Sequence, residues 1–307
     1  MTDLNSIILS SLIFCPLVGA LLVALLPRKV AREGAFVVAL INFVLSLHLV
    51  AHWGEAKSAL GSLGREIHFE QATEWLPQFG ISYHLGVDGL SVFLLLLGAF
   101  LTPLVMLMSW NSVGARIKEY FICLLILESA VMGVFSALDL ILFYIFWEAV
   151  LIPVYVMMVG WGGADRVKAA AKFFVYTMAG SVFMWVAMLY IYFQQPAGAR
   201  SFDYEPFYNA ARSLDGGSSV AVWLFAAFAV AFAIKAPIFP LHTWLPDTYT
   251  QAPTGATVML AAVLSKMGVY GFLRFALPFF PSVAQSLAPL FITLAAIGII
   301  YGALVAI

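Results

Sequence analysis

The sequence predicts an all-α, polytopic bundle of membrane-crossing helices, and three observations carry that reading. Hydrophobic residues fill 63% of the 307 positions and charged residues only 10%, against about 25% charged in soluble domains. The apolar residues gather into runs of about 20, the length that crosses a hydrocarbon core about 30 Å thick. The polar connections between the runs alternate between basic and acidic or balanced, as topogenic charge does. The formal net charge of −1 says nothing about nucleic acid, but the chain has no basic stripe and no aromatic-rich RNA motif, so no nucleic-acid partner is expected. The lipid bilayer is the first partner.

Spans are expected near 6–26, 34–53, 88–110, 118–137, 139–160, 169–193, 220–251, 254–279 and 284–307, with an outer loop near 54–87. The first run, Ile7 to Leu26, is a retained span and not a cleaved leader. Asp3 precedes it without any lysine or arginine, and Arg28, Lys29 and Arg32 follow it. Basic clusters at Arg28-Lys29-Arg32, at Arg116 with Lys118, and at Arg166-Lys168-Lys172 mark one side as cytoplasm or matrix. The loops Glu55 to Glu74, the turn at Asp139 and Arg200 to Asp215 fall on the other side, with the N-terminus. The seventh segment is too long and too rich in proline (Pro237, Pro240, Pro246) for one straight helix. Each proline removes an intrahelical hydrogen bond, and unwound backbone at membrane depth survives only inside protein or beside a wet cavity. The last run is still apolar at Ile307, so the chain is expected to be a fragment of a longer one. The expected division is 1–117 (helices one to three), 118–279 (a five-helix unit, helices four to eight) and 280–307 (the start of a further helix).

Three ionisable residues lie inside apolar runs: Glu148, Lys235 and Lys266. At 1.5 Å per residue, Lys266 is about 18 Å from one helix end, Lys235 about 22 Å and Glu148 about 12 Å from the other side. All three fall in the central half of the bilayer, beyond easy snorkelling. Insertion scales set the cost of such a charge at about 2.5–3.5 kcal/mol, so it is read as functional by default. Opposite charges beside a helix break point to a path for protons or cations. Two unit charges 4 Å apart at an effective dielectric of 20 attract by about 4 kcal/mol. At 1.36 kcal/mol per tenfold, opening and closing a Glu148–Lys235 pair changes the lysine's proton affinity roughly a thousandfold. One charge crossing 100 mV is worth about 2.3 kcal/mol, so the switch has the right size. The plainer reading is a static ion pair stapling two helices, but buried pairs stabilise weakly. That reading also leaves Lys266, the break at Pro237 and the polar run Pro240 to Thr254 without a purpose. Within that run His242 adds an imidazole, the side chain best suited to exchange a proton, and Asp247 adds a carboxylate.

Weaker candidates follow. Glu128, inside the fourth helix, is a second acid able to tune Glu148, or a group paired locally. Asp139 reads as a helix cap, and Asp88 opens the third helix, where a carboxylate favours the N-terminus. Arg274 is close enough to a helix end to snorkel. His48 and His52 have metal-compatible spacing but lack a third ligand, so no metal is expected. Cys15 and Cys123 stand apart in apolar runs and form no CxxC pair, so they read as packing residues and no redox centre is expected here.

The run PLHTWLPDTYTQAPT (240–254), with Lys235-Ala236-Pro237 before it, resembles the signature of the antiporter-like subunits of respiratory complex I and of Mrp-type cation/proton antiporters. LGVDGLSVFLLLL (85–97), LESAVMGVFSALDLILFYIFWEAVLIPVY (127–155) and the WGG…KFFVYTMAGS stretch (161–181) resemble the complex I branch of that family, NADH:quinone oxidoreductase. The resemblance runs from the first helix to the end of the chain. It implies that Glu148 matches an essential glutamate of the fifth helix, Lys235 the lysine of the broken seventh helix and Lys266 the central lysine of the eighth. It implies two inverted five-helix repeats, of which this chain holds the first. Implied, too, is a proton-translocating role in a complex whose NADH, FMN, iron–sulfur clusters and quinone sit in other subunits, with neighbouring antiporter-like membrane subunits as partners. The implied location is a bacterial inner membrane, with the mitochondrial inner membrane second. An Mrp-type Na+/H+ antiporter, a hydrogenase membrane subunit and a non-conducting membrane scaffold remain as alternatives. The string Phe146-Trp147-Glu148-Ala149-Val150-Leu151-Ile152-Pro153 favours the complex I branch.

Overall fold

The computed structural model describes residues 2–54, 57–60, 65–216 and 218–305. Among these, eight helices are long and apolar enough to cross a membrane, and a ninth apolar helix, Ser219–Lys235, is shorter. The expected spans are therefore present, with the seventh cut off where its prolines begin. The chain forms two compact units, each taken by itself: residues 1–164, 202–205 and 252–263, and residues 165–201, 206–251 and 264–307.

The first unit is a helical bundle capped by a small sheet. Helices α1 (Thr2–Leu25), α2 (Ala31–Ala51), α3 (Ser91–Met108) and α4 (Ile117–Ser136) pack in sequence order, and α4 also packs on α1 and α2. This places α4 at the centre, and its residues from Leu127 to Ser136 are buried without interruption. A helix hydrophobic all round belongs in such a position. The fifth span divides into α5 (Leu140–Ala149) and α6 (Leu151–Trp161) at Val150. Pro153 explains the division, because it has no N–H to give to the carbonyl of Ala149 four residues back. Gly133 lets α4 and α5 approach: a Cβ there would enter the Phe146 ring. The short α11 (Thr254–Met259) packs on α3, with Gly255 set close to the Tyr120 and Ser109 hydroxyls.

The segment between α2 and α3, expected as a loop, folds into a three-stranded antiparallel sheet, β1 (Lys57–Leu60), β2 (Arg65–Leu76) and β3 (Ile81–Val87), in the order β1-β2-β3. Its signal is visible afterwards in the alternation Arg65-Glu66-Ile67-His68-Phe69-Glu70. A slip in the β2–β3 ladder between His68 and Gln71, with Phe69 at φ 55°, is a bulge that leaves the Phe69 ring buried. Asp88 and Ser91 exchange hydrogen bonds at the start of α3: the Ser91 N–H donates to Asp88 Oδ1 (3.0 Å) and the Asp88 N–H donates to Ser91 Oγ (2.9 Å). Asp139 caps α5, accepting from the N–H groups of Ile141 (2.8 Å) and Leu142 (3.0 Å). The cap reading of Asp139 and the N-terminal placing of Asp88 both hold in this structure. His48 and His52 stack at 3.9 Å, with His48 Nε2 2.7 Å from Asn5 Oδ1.

In the second unit, α7 (Arg166–Gln194) packs along α9 (Ser219–Lys235). Between them lies α8 (Tyr204–Leu214), most of it in this unit, an amphipathic helix where only a loop was expected. Ser218 caps α9, its Oγ accepting from Ala221 N–H (3.2 Å). After the break come α10 (Leu245–Gln251), α12 (Ser265–Gly271), α13 (Leu277–Phe279) and α14 (Pro281–Val305). Two π-turns, Leu260–Leu264 and Phe272–Ala276, flank α12. Arg274 lies in the second of them and is buried, at 1% exposure. The expectation that it snorkels is corrected: its side chain is enclosed by protein and not held out toward the helix end. Gly268 presses on α9, since a Cβ there would stand 2.5 Å from the Ala236 nitrogen and 2.6 Å from the Phe232 carbonyl oxygen.

Two outcomes follow for the folded chain. Gly268→Ala is expected to destabilise the second unit by about 1–3 kcal/mol, the range for overpacking against atoms that cannot move. A thermal melt of the purified protein in detergent checks it, and an unchanged midpoint refutes the contact. The second concerns His84, whose Nδ1 is 3.1 Å from Asp203 Oδ1 and whose Nε2 is 2.9 Å from Glu70 Oε1. Burial works against its charge, but the hydrogen bonds and charges of Asp203 and then Glu70 outweigh it, and its pKa is raised above 6.5. A raised value stabilises the fold fully below 6.5 and loses that contribution as pH rises through the folded value. Asp139, pushed up to about 6 mainly by burial, has the same sign. His84→Gln should therefore lower the melting midpoint near pH 5.5 and change it little near pH 9. An equal effect at both ends contradicts the charge assignment.

Candidate functional site

The broken seventh segment is built around one missing hydrogen-bond donor. Pro237 offers no N–H to the carbonyl of Ala233, and α9 stops at Lys235. The freed Ala233 carbonyl is taken one residue late, by the Ile238 N–H at 2.8 Å. That displacement leaves the Ile234 carbonyl, which accepts instead from Trp244 Nε1–H at 2.9 Å. The indole is buried and packs on Phe173 of α7, ring centroids 5.3 Å apart. Lys235, at the last turn of α9, is 3% exposed. It also lies at the C-terminal end of the helix, where the dipole favours a cation.

The polar run beyond the break splits into two environments. His242 is half-buried, stacked on Phe239 at 5.5 Å and edge-on to Tyr301 at 5.4 Å. Its Nδ1 is buried without a hydrogen-bond partner among the described residues. With Tyr301 it lines a cavity of about 470 Å³ whose other walls include Pro237, Ile238, Leu294 and Gly298. Asp247 faces outward and pairs with Lys172 of α7, Nζ to Oδ2 2.7 Å. That pair holds α10 to α7, so the geometry gives Asp247 an anchoring contact. Lys266 stands near the middle of the span Thr254–Phe279, between the two π-turns, with its side chain exposed. Helix α12 packs on α9, so Lys266 and Lys235 ride on neighbouring helices of one unit.

Glu148 belongs to the first unit. It is the next-to-last residue of α5, just ahead of the interruption that Pro153 produces, and both its carboxylate oxygens are buried. Glu148 and Lys235 are thus each set beside a helical turn that a proline has weakened. Glu128 is fully buried in α4, with Asn42 Nδ2–H donating to its Oε1 at 2.9 Å. Sequence reasoning gave Trp244 and Asn42 no role and read Lys172 only as part of a basic cluster. Trp244 had a signal, being an aromatic with an N–H inside a proline-rich run; Asn42 was a lone amide within an apolar helix.

Residues 137–307 match the family model described as NADH:quinone oxidoreductase/Mrp antiporter, transmembrane. The chain is 42% identical over 317 aligned residues to NADH-quinone oxidoreductase subunit M of Rhodobacter capsulatus, covering 98% of this chain and 59% of that protein. It is 38% identical to NADH-ubiquinone oxidoreductase chain 4 of Arabidopsis thaliana, covering 96% of this chain and 58% of the relative. The chain thus spans less than two thirds of the length of these relatives. Among solved structures, respiratory complex I from Thermus thermophilus with bound NADH superposes with a TM-score of 0.82 at 32% identity, over 97% of this chain and 59% of that one. The Mrp complex from Dietzia shares the fold, with a TM-score of 0.74 at 18% identity. On this footing the chain belongs to the NADH:quinone oxidoreductase/Mrp antiporter transmembrane family.

Proposed function

We propose that this chain is the proton-translocating part of a subunit M-type membrane subunit of NADH:quinone oxidoreductase. Lys235, Lys266 and Glu148 carry protons in this reading, Pro237 and His242 support them, and Asp247 and Glu128 hold their helices in place. The observation that carries it is the burial of Lys235 beside a proline break whose displaced carbonyl is re-satisfied by Trp244. A lysine confined in this way loses or keeps its proton according to nearby charge, and the break supplies backbone able to line a wet path. Identity of 36–42% to subunit M and chain 4 proteins supports the complex I setting. Redox chemistry falls to other subunits, where NADH, FMN, iron–sulfur clusters and quinone would bind. The partners are the neighbouring membrane subunits, and the bacterial inner membrane is the proposed location.

Lys235→Ala in the assembled complex should cut proton pumping and quinone-linked electron transfer together, by about 10²-fold or more, the scale of losing a positioned acid–base group. Electron transfer from NADH to an artificial acceptor should stay normal. Wild-type pumping by an assembled Lys235→Ala complex would sink the proposal.

Lys266→Arg tests the relay separately. Guanidinium keeps the charge but does not release a proton in proteins. The variant should assemble and pump poorly, read as ΔpH formation in vesicles. Pumping at the wild-type rate assigns Lys266 a static role.

A further inference from the structure

Glu128, like Glu148, is a carboxyl group well inside a membrane-crossing helix of the first unit, and its surroundings differ from those of Glu148. It is 0% exposed, on α4, facing Asn42 of α2, which is also 0% exposed. The Asn42 Nδ2–H donates to Glu128 Oε1 at 2.9 Å. The other carboxyl oxygen, Oε2, and the Asn42 amide oxygen, Oδ1, are both buried acceptors that no donor among the described residues reaches. Hydroxyls nearby in sequence are already committed: Ser129 Oγ–H donates to the Ile13 carbonyl (2.6 Å) and Ser46 Oγ–H to the Phe43 carbonyl (2.6 Å). Among the described residues no lysine, arginine or histidine forms an ion pair with Glu128.

A carboxylate only accepts hydrogen bonds. Glu128 as an anion would therefore be a buried charge with one donor, lying against an amide whose own oxygen is unanswered, which is a costly arrangement. One proton on Oε2 removes both defects. Its O–H donates to Asn42 Oδ1 while Asn42 Nδ2–H donates back to Oε1, closing a ring of two hydrogen bonds between two planar groups. Turning the amide round, a choice that heavy-atom positions leave open, does not remove the need. It would set an amide oxygen 2.9 Å from a carboxyl oxygen, and two acceptors at that distance require a proton between them.

We infer that Glu128 retains its proton as a neutral carboxylic acid, locked to Asn42 in a cyclic acid–amide pair that clasps α2 to α4. It is then a positioning residue. A neutral group gives Glu148 no electrostatic tuning, unlike the second acid expected from sequence, and it passes no proton along. The pairing stands on geometry alone; only the pumping readout below rests on the function proposed above.

The test is Glu128→Gln in the full-length chain within the assembled complex. Glutamine reproduces the ring, its amide N–H donating to Asn42 and its oxygen accepting in return. Assembly and pumping should match wild type, while Glu128→Leu and Asn42→Leu should lower the thermal midpoint. The wild-type-minus-Glu128→Gln infrared difference spectrum should show the C=O stretch of a protonated carboxyl group at neutral pH. Carboxylate bands in its place overturn the inference whatever the pumping result. So does an assembled Glu128→Gln complex that has lost pumping, since that makes Glu128 a carrier. Failure of Glu128→Gln to assemble also overturns it, because the ring should survive the change.

Discussion

The hydrogen bond from the Trp244 indole to the Ile234 carbonyl is the interaction on which the arrangement around Lys235 depends. In hydrocarbon, a backbone group without a partner costs several kcal/mol, so a helix can be interrupted only where a replacement is ready. Pro237 interrupts α9; Ile238 takes the first freed carbonyl, and Trp244 takes the one that this shift exposes. Lys235 holds its position because the turn beneath it has been closed by a side chain ten residues away in sequence. A helix completed by its own backbone would have no reason to stop there.

The same constraint accounts for what the sequence made legible. Spans must be long, apolar and internally bonded, so their number and order stand out in composition alone, and so does the break, which proline announces. Caps were readable too: Asp139 and Asp88 are carboxylates just ahead of apolar runs, and both take N–H groups at helix starts. The sheet over residues 57–60 and 65–87 was hidden because its strands are rich in polar residues and the register slips at His68/Gln71 and Glu74/Leu76 break the two-residue alternation. The amphipathic α8 was hidden for a different reason: its pattern is that of a soluble helix set among stronger hydrophobic signals. Partner identity was least legible of all. Nothing in a linear reading joins Asn42 to Glu128, or Lys172 to Asp247, across 86 and 75 residues.

The ionisable groups divide by what surrounds them. His84, Glu70, Asp203 and Ser82 form a connected polar cluster next to the Asp139 cap, where donors and acceptors are shared among four segments of the first unit. Both His84 nitrogens point at carboxylates, so the ring serves best with two protons. Glu128 has a single amide for company. Lys172 and Asp247 sit in contact with solvent or headgroups, where an ion pair stabilises by well under about 1 kcal/mol and chiefly fixes geometry. Placement beside a weakened turn sets Glu148 and Lys235 apart from these groups.

The two π-turns flanking α12 have a consequence for how this helix tolerates change. Each holds one more residue than an α-helical turn, so each is a spare count that a deletion can remove while leaving a continuous helix. Removing a residue from Leu260–Leu264 or from Phe272–Ala276 would return that turn to α-helical bonding and leave the phase of the flanking turns nearly unchanged, whereas the same deletion inside α12 would turn everything beyond it by about 100° on the helical wheel. The span thus tolerates the loss of a residue at two places and not between them.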